Sequence, residues 1–216
     1  MTTSSKVAII GLGNIGQAVA ANLSKSNREF IVADRNLAKA KELAANWGVT
    51  SKPSDIPTAV KNADILVLAI PFETIAEFVN HYASDLEGKI IIDPSNPIAP
   101  DDKGGFKKII GTNESAGEIN RVALGQNAKL VKALGTLGAG SLTAAAYQSP
   151  ERSVLFYAND DQNINETVEQ LIKDNGFEPL RIGGLDQSIR IEVFGDLHEF
   201  GALGKTVTIS EAKTRI

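Results

Sequence analysis

The chain has 216 residues, 43% of them apolar and 22% charged, which is enough for one full domain or a domain and a half and excludes wholesale disorder. A formal net charge of −4 argues against general nucleic-acid binding, for which a basic face would supply the affinity. There is no cysteine, so disulfides, thiolate metal sites and cysteine nucleophiles are excluded, and a reducing, cytoplasmic setting is expected.

The first residues, "MTTSSK", carry no apolar run of leader length. No later stretch approaches the roughly 20 apolar residues of a membrane span, so no membrane partner is expected. Residues 7–10, "VAII", have the β-branched and aliphatic character of a strand buried on both faces. Residues 14–26 follow with Ile15, Val19 and Leu23 one helical turn apart. Residues 30–33 form a second strand and 37–47 a second helix, with a short helix over 55–62. "ADILVLAIP" is a buried strand that stops at Pro71, and 72–84 is amphipathic. "GKIIIDPSNP" is a strand ending in a Pro-rich polar turn.

Further on, 115–124 reads as helix and "AKLVKAL" as strand, with a small-residue loop and short helix over 135–151. "SVLFYAND" is a strand, 162–175 a helix, "FEPLRIGG" a strand, and 187–203 a final helix. Alternating strands and helices predict an α/β fold, a doubly wound, mostly parallel sheet of Rossmann type with a small C-terminal extension. The division expected is 1–140 for the dinucleotide-binding part and 141–216 packed on it, or one unit over 1–216.

Gly11, Gly13 and Gly16 stand in G-x-G-x-x-G order between the first strand and its helix. The pattern alone is weak; after a strand, before a helix, and with Asp34 closing the next strand, it points to a dinucleotide. Gly11 turns the chain, Gly13 lets backbone approach a diphosphate, and Gly16 lets helix lie on strand. Leu12, Asn14 and Ile15 complete the loop whose N–H groups and helix dipole would meet the phosphates. Asp34 suits the ribose hydroxyls of NAD and would repel a 2′-phosphate by roughly 4 kcal/mol at 4 Å and a dielectric of about 20. Arg35 would pair with that phosphate. NAD and NADP both stay open.

Ligands of open α/β sheets sit outside the carboxyl ends of the strands. Ala69, Ile70, Pro71 and Phe72 lie at one such end, Asn96 and Pro97 at the next, and Gly135, Thr136 and Leu137 at a third. Asn96 would bond a carboxamide or the edge of a flavin, or else make an Asx turn before Pro97. The low bulk of 135–138 suggests a flat partner close to the backbone. No acid–base set emerges: His81 reads as a surface residue and His198 as structural. No catalytic residue and no metal ligand is assigned. Hydride exchange between a nicotinamide and a flavin-type ring needs stacking geometry more than a general base.

Taken in order, "IIGLGNIGQAVAANL", "ADILVLAIPFETIAEFV", "GKIIIDPSNPI", "SAGE", "LVKALGTLGAGSL", "VLFYANDD" and "GFEPLRIGGLDQSIRIE" resemble the NADP oxidoreductase, coenzyme F420-dependent family, the deazaflavin:NADP reductases and their relatives. The resemblance runs from Val7 to about Leu203. It implies a homodimer and hydride exchange between NADP(H) and a flavin or coenzyme F420 as second substrate, a small planar redox acceptor stacked on the nicotinamide. Two positions depart from the family pattern: Asp34 stands where Ser or Thr is usual, and Gly135 where Asn is common. Two rival readings are a dehydrogenase of a small hydroxyacid or imine and a non-catalytic NAD(P)-sensing module. The apolar stretch "IEVFGDLHEFGAL" offers a helical dimer face or packs on its own sheet.

Overall fold

β1 (Val7–Ile10) is buried along its whole length and holds the middle of the sheet, as four consecutive apolar residues require. It pairs in parallel with β2 (Phe30–Ala33) on one side and β4 (Ile65–Leu68) on the other. This computed structural model describes residues 5–125 and 128–216; the first four residues of the stretch read as leaderless lie outside them. α1 (Asn14–Lys25) joins β1 to β2 and buries Ala18, Val19, Ala20 and Leu23. Of these, the fully buried Val19 and Leu23 contribute about 1.5–3 kcal/mol each. α2 (Leu37–Ala44) starts at Asn36, whose side chain accepts the N–H groups of Ala38 and Lys39.

A 3-10 turn (Ala45–Thr50) replaces the expected last turn of α2, because the chain reverses through Gly48 at φ 65°. β3 (Ser51–Ser54) closes the sheet beside β2 and was not expected, since Lys52 and Pro53 are poor strand residues. An edge tolerates Pro, because the side without a neighbouring strand needs no N–H donor. α3 (Ile56–Asn62) is capped by Asp55, which accepts the Thr58 N–H, and α4 (Phe72–His81) follows β4. β5 (Ile90–Asp93) pairs with β4, and a small antiparallel ribbon, β6 (Ile98–Pro100) with β7 (Phe106–Lys108), follows it. α5 (Ala116–Leu124) leads to β8 (Lys129–Lys132), and α6 (Ala139–Ala144) to β9 (Val154–Asn159). α7 (Asn165–Asp174) leads to β10 (Glu178–Arg181), a 3-10 segment spans Leu185–Ile191, and α8 (Ile209–Ala212) is a single turn.

The eight-stranded sheet runs β10-β9-β8-β5-β4-β1-β2-β3. From β8 to β3 every pairing is parallel, which is the doubly wound α/β arrangement expected. One apolar cluster covers each face of the sheet. The β8–β9 pair alone is antiparallel, with Val131 opposite Asn159 and Lys132 opposite Ala158. Residues 154–157 therefore pass beyond the last residue of β8, an overhang of about 14 Å at ~3.4 Å per residue. β10 pairs with that overhang, Glu178 with Val154 through Arg181 with Tyr157. Phe156 and Val154 carry a third apolar cluster there with Ile191, Leu197, Leu203 and Val207.

The helix expected over 187–203 is not present. After the 3-10 segment, Glu192 is extended (φ −89°, ψ 163°), Phe194 has φ 74°, and the chain proceeds in turns. Gly195 and Gly201 pack backbone against backbone, where a Cβ on Gly201 would strike the carbonyl of Gly195. The apolar residues that imitate helical spacing are spread over consecutive turns that fold onto the β9–β10 overhang.

Candidate functional site

Gly11 leaves β1 at φ 93°, its N–H bonded to the Ala33 carbonyl at 2.8 Å. A Cβ on Gly11 would meet the Ala69 carbonyl oxygen, and one on Gly16 would overlap the Gly11 carbonyl. The first and third glycines are therefore spent on turning the chain and on seating α1. Gly13 differs: a Cβ there would meet nothing within 4 Å. Gly13 is also the N-cap of α1 and offers no side-chain cap, and the helix has no acidic residue in its first turn. Backbone donors and the positive dipole end thus face open space beside a position without a side chain, a fit to a diphosphate. Asn14 is exposed and Ile15 half-buried on the first turn of the same helix.

Asp34 closes β2 and is tied to the glycine loop. Its Oδ2 accepts the Leu12 N–H at 3.0 Å, and its Oδ1 accepts the Asn36 N–H at 3.1 Å. The Gln17 side chain donates to the Leu12 carbonyl at 3.0 Å, so the Leu12 peptide is gripped on both sides. Lys39 Nζ stands 3.3 Å from Asp34 Oδ2. Partial burial by itself would push the Asp34 carboxyl up; the N–H groups of Asn36 and Leu12 and the Lys39 ammonium outweigh it and hold the carboxyl below its ordinary range. Arg35 is exposed beside this pair. Lys39 was not singled out in the sequence, although it lies one helical turn past the acid on the first turn of α2.

The other strand ends converge as the topology dictates. Ala69, Ile70 and Phe72 are half-buried past β4, with Pro71 exposed at the start of α4. Past β5, Asn96 turns its side chain into the protein. Its Nδ2 donates to the Gly135 carbonyl at 3.0 Å, and its Oδ1 accepts the Val193 N–H at 2.7 Å. This clamp ties the end of β8 to the C-terminal segment across 97 residues of sequence. Pro97 is buried.

Past β8, Gly135, Thr136 and Leu137 are buried. The low bulk at 135 and 138, read above as room for a flat partner, is used by the protein itself. A Cβ on Gly135 would strike the backbone of Pro94, and one on Gly138 would press on Glu199 and the Phe200 ring. The hydroxyls of Ser95 and Thr136 are buried at these same strand ends and have no partner among the described residues. Orphaned donors at this edge fit a polar ligand.

Beneath the clamp lies a charged cluster that sequence reading left out. Lys132, 2% exposed, stands 3.0 Å from Asp93 Oδ2 and 3.9 Å from Glu192 Oε1, and it donates to the Ser95 carbonyl. Asn120 adds a donor to Asp93 at 2.9 Å. Glu192 accepts the N–H groups of Ala116 and Gly117 at 2.9 and 3.0 Å, at the N-terminus of α5. A buried charge survives only when paired and hydrogen-bonded, which these are. Asp93 and Lys132 close adjacent strands in apolar runs, the one signal that sequence offered.

His198 is buried and bonds the Gly135 carbonyl through Nε2 at 3.0 Å while Nδ1 accepts the Phe200 N–H at 3.0 Å. Burial lowers its affinity for a proton, and the nearby Lys132 acts in the same direction. Both ring nitrogens are occupied by backbone, so the residue is structural. His81 is exposed, edge-on to Tyr82. Among the described residues there is no group of His, Asp and Glu able to hold a metal ion, and no helix long and apolar enough to cross a membrane.

The family model described as NADP oxidoreductase coenzyme F420-dependent matches residues 6–97. The F420-dependent NADP reductase of Methanothermobacter thermautotrophicus is 24% identical over 198 residues, which cover 87% of this chain and 84% of that protein. The prephenate dehydrogenase of Lactococcus lactis is 28% identical over 88 residues, 40% of this chain and 25% of that protein, so the chain spans only a quarter of that relative. Among solved structures, a hypothetical protein, SMa0349, from Sinorhizobium meliloti superposes with a TM-score of 0.81 at 28% identity, covering 94% of this chain and 95% of that one. The resemblance read from the sequence motifs is borne out, and the chain is a relative of NAD(P)-dependent oxidoreductases.

Proposed function

Because residues 6–97 match the model described as NADP oxidoreductase coenzyme F420-dependent, we propose that this chain is an NADP-dependent oxidoreductase that exchanges a hydride with a flavin or deazaflavin-type acceptor. The observation that carries the reading is Gly13: it is the one glycine of the three whose missing side chain leaves space unfilled, and it caps a helix that has no other cap. Gly13, Asn14, Ile15 and Gly16 hold the diphosphate through backbone N–H groups, while Leu12, its own N–H given to Asp34, and Gly11 shape the loop. Asp34 and Arg35 hold the adenosine ribose. Lys39 neutralises Asp34, so a 2′-phosphate meets a site of net positive charge when Arg35 is counted.

When bound, the dinucleotide supplies the hydride. Ala69, Ile70, Pro71 and Phe72 flank its nicotinamide end on one side, and Thr136 and Leu137 lie on the other. Asn96, Pro97 and Gly135 hold the two strand ends at a fixed distance and exclude water between them. Ser95 and Thr136 offer hydroxyl donors. No side chain needs to take or give a proton at the reacting carbon, in keeping with an acceptor that carries its own chemistry.

A thermal-shift titration with NADPH and NADH tests the nucleotide site, since a ligand of the folded state raises apparent stability by mass action. NADPH is expected to give the larger shift. Loss of reduced-nicotinamide absorbance on adding riboflavin or 5-deazariboflavin tests turnover. Binding without transfer to either acceptor would leave a nucleotide-sensing module, and no shift with either nucleotide would overturn the reading.

A further inference from the structure

We infer that Phe194 is the residue that holds the planar acceptor, its ring forming a platform for the face of the tricycle turned away from the nicotinamide. The inference rests on the oxidoreductase reading above and adds a specificity-determining residue to it. Phe194 is the third residue of a turn closed by the Gly195 N–H on the Glu192 carbonyl at 2.8 Å. Its φ is 74°, a left-handed conformation that a bulky residue avoids and that glycine would adopt at no cost. The residue nevertheless remains 50% exposed. A left-handed backbone that presents a half-exposed aromatic ring is uncommon, and strain of this kind collects at ligand clamps.

The turn is fixed from below. Glu192 is anchored by the N–H groups of Ala116 and Gly117, and the Val193 N–H is held by Asn96 Oδ1. The same Asn96 holds the Gly135 carbonyl, next to Leu134, which is also at positive φ, 64°. Two strained positions thus flank one clamp, at the carboxyl edge where β5 and β8 end. That edge belongs to the half of the sheet that takes the nicotinamide in a doubly wound fold. Phe194 directly follows the held Val193, so it is carried on a fixed base at that edge, and an aromatic face suits an extended π-system. Aromatic rings stack on such faces with little regard to substituents.

Binding is read without turnover, by fluorescence anisotropy of riboflavin and of 5-deazariboflavin in the presence of saturating NADP+. Phe194→Ala is expected to weaken binding of the probe by about tenfold, while Phe194→Tyr and Phe194→Trp stay within about threefold of the parent. The NADPH thermal shift is expected to be the same in all four proteins, because the nucleotide site is untouched. That shift tests the earlier reading separately: if it is absent in the parent protein, the oxidoreductase reading fails, and anisotropy with the probes alone, without NADP+, still decides whether Phe194 binds the ring. Parent protein that binds neither probe, or Phe194→Ala that binds as the parent does, would overturn the platform. So would a drop in sedimentation mass in Phe194→Ala, which would make the ring a contact between copies of the chain.

Discussion

Asp34 accepts the backbone N–H of Leu12 at 3.0 Å, so the acid at the end of β2 and the glycine loop after β1 form one braced unit. An acid placed only to greet a ribose would be free to leave. This one is held by two backbone donors and by Lys39, and its charge is part of the loop's own structure.

The Asp34–Lys39 pair is expected to set cofactor preference with opposite signs. Lys39→Ala leaves Asp34 unopposed and should weaken NADPH by about tenfold, with a smaller effect on NADH. Asp34→Asn removes the repelling charge and should raise the NADPH-to-NADH affinity ratio, at some loss of melting temperature because the Leu12 brace becomes a neutral bond. Calorimetric titration of both nucleotides against both variants checks the two signs; equal effects on NADPH and NADH would refute the assignment.

The glycines should separate folding from binding. Gly13 has φ −76°, which alanine adopts freely, and open space around it. Gly13→Ala should cost less than about 1 kcal/mol of stability and still abolish the NADPH-induced shift. In Gly16→Ala the new Cβ overlaps the Gly11 carbonyl, so α1 must move off the strand at a cost of about 1–3 kcal/mol. Urea denaturation and a thermal-shift titration on the two variants read the contrast directly.

His198 should make the protein acid-sensitive. Its folded pKa lies below its ordinary value through burial, so as pH falls below about 6.5 the unfolded chain takes up a proton before the folded one does. Stability then falls with pH, by at most about 1.4 kcal/mol per unit from this one group. The loss continues down to the folded pKa, where the Phe200 N–H must give up Nδ1. His198→Gln, which keeps a donor for the Gly135 carbonyl, should flatten the melting temperature between pH 7 and 5. An unchanged slope would place the acid sensitivity elsewhere.

Lys132 neutralises part of a buried acidic pair. Lys132→Met leaves Asp93 and Glu192 in the interior without a cation and should cost about 3–5 kcal/mol. Combining it with Asp93→Asn should recover part of that loss, a coupling that a double-mutant cycle in urea measures. Additive losses would show that the 3.0 Å pair contributes nothing of its own.

Much of this was readable along the chain because its strands are near-continuous apolar runs and its first helix keeps a regular stripe. The glycine loop and Asp34 were legible because both obey a spacing set by backbone geometry. What escaped detection has equally physical causes. β3 is an edge strand carrying Lys52 and Pro53, and nothing in its composition distinguishes it from a loop. Residues 192–203 space their apolar side chains as a helix would, but turns at Phe194, Gly195 and Gly201 take them to the overhanging strands. Asn96 and Glu192 find their partners 97 and 76 positions away, distances over which local pattern carries no information.

The projecting ends of β9 and β10 have a consequence for how such a chain can diversify. They support the aromatic turn on a small apolar cluster of their own, separate from the two that sandwich the sheet. On the reading proposed for Phe194, altering residues 193–195 alone would change which ring is accepted, while Glu192 and His198 keep the ribbon tied to α5 and to the end of β8, so that a new partner is reached by editing one turn rather than by redesigning the core.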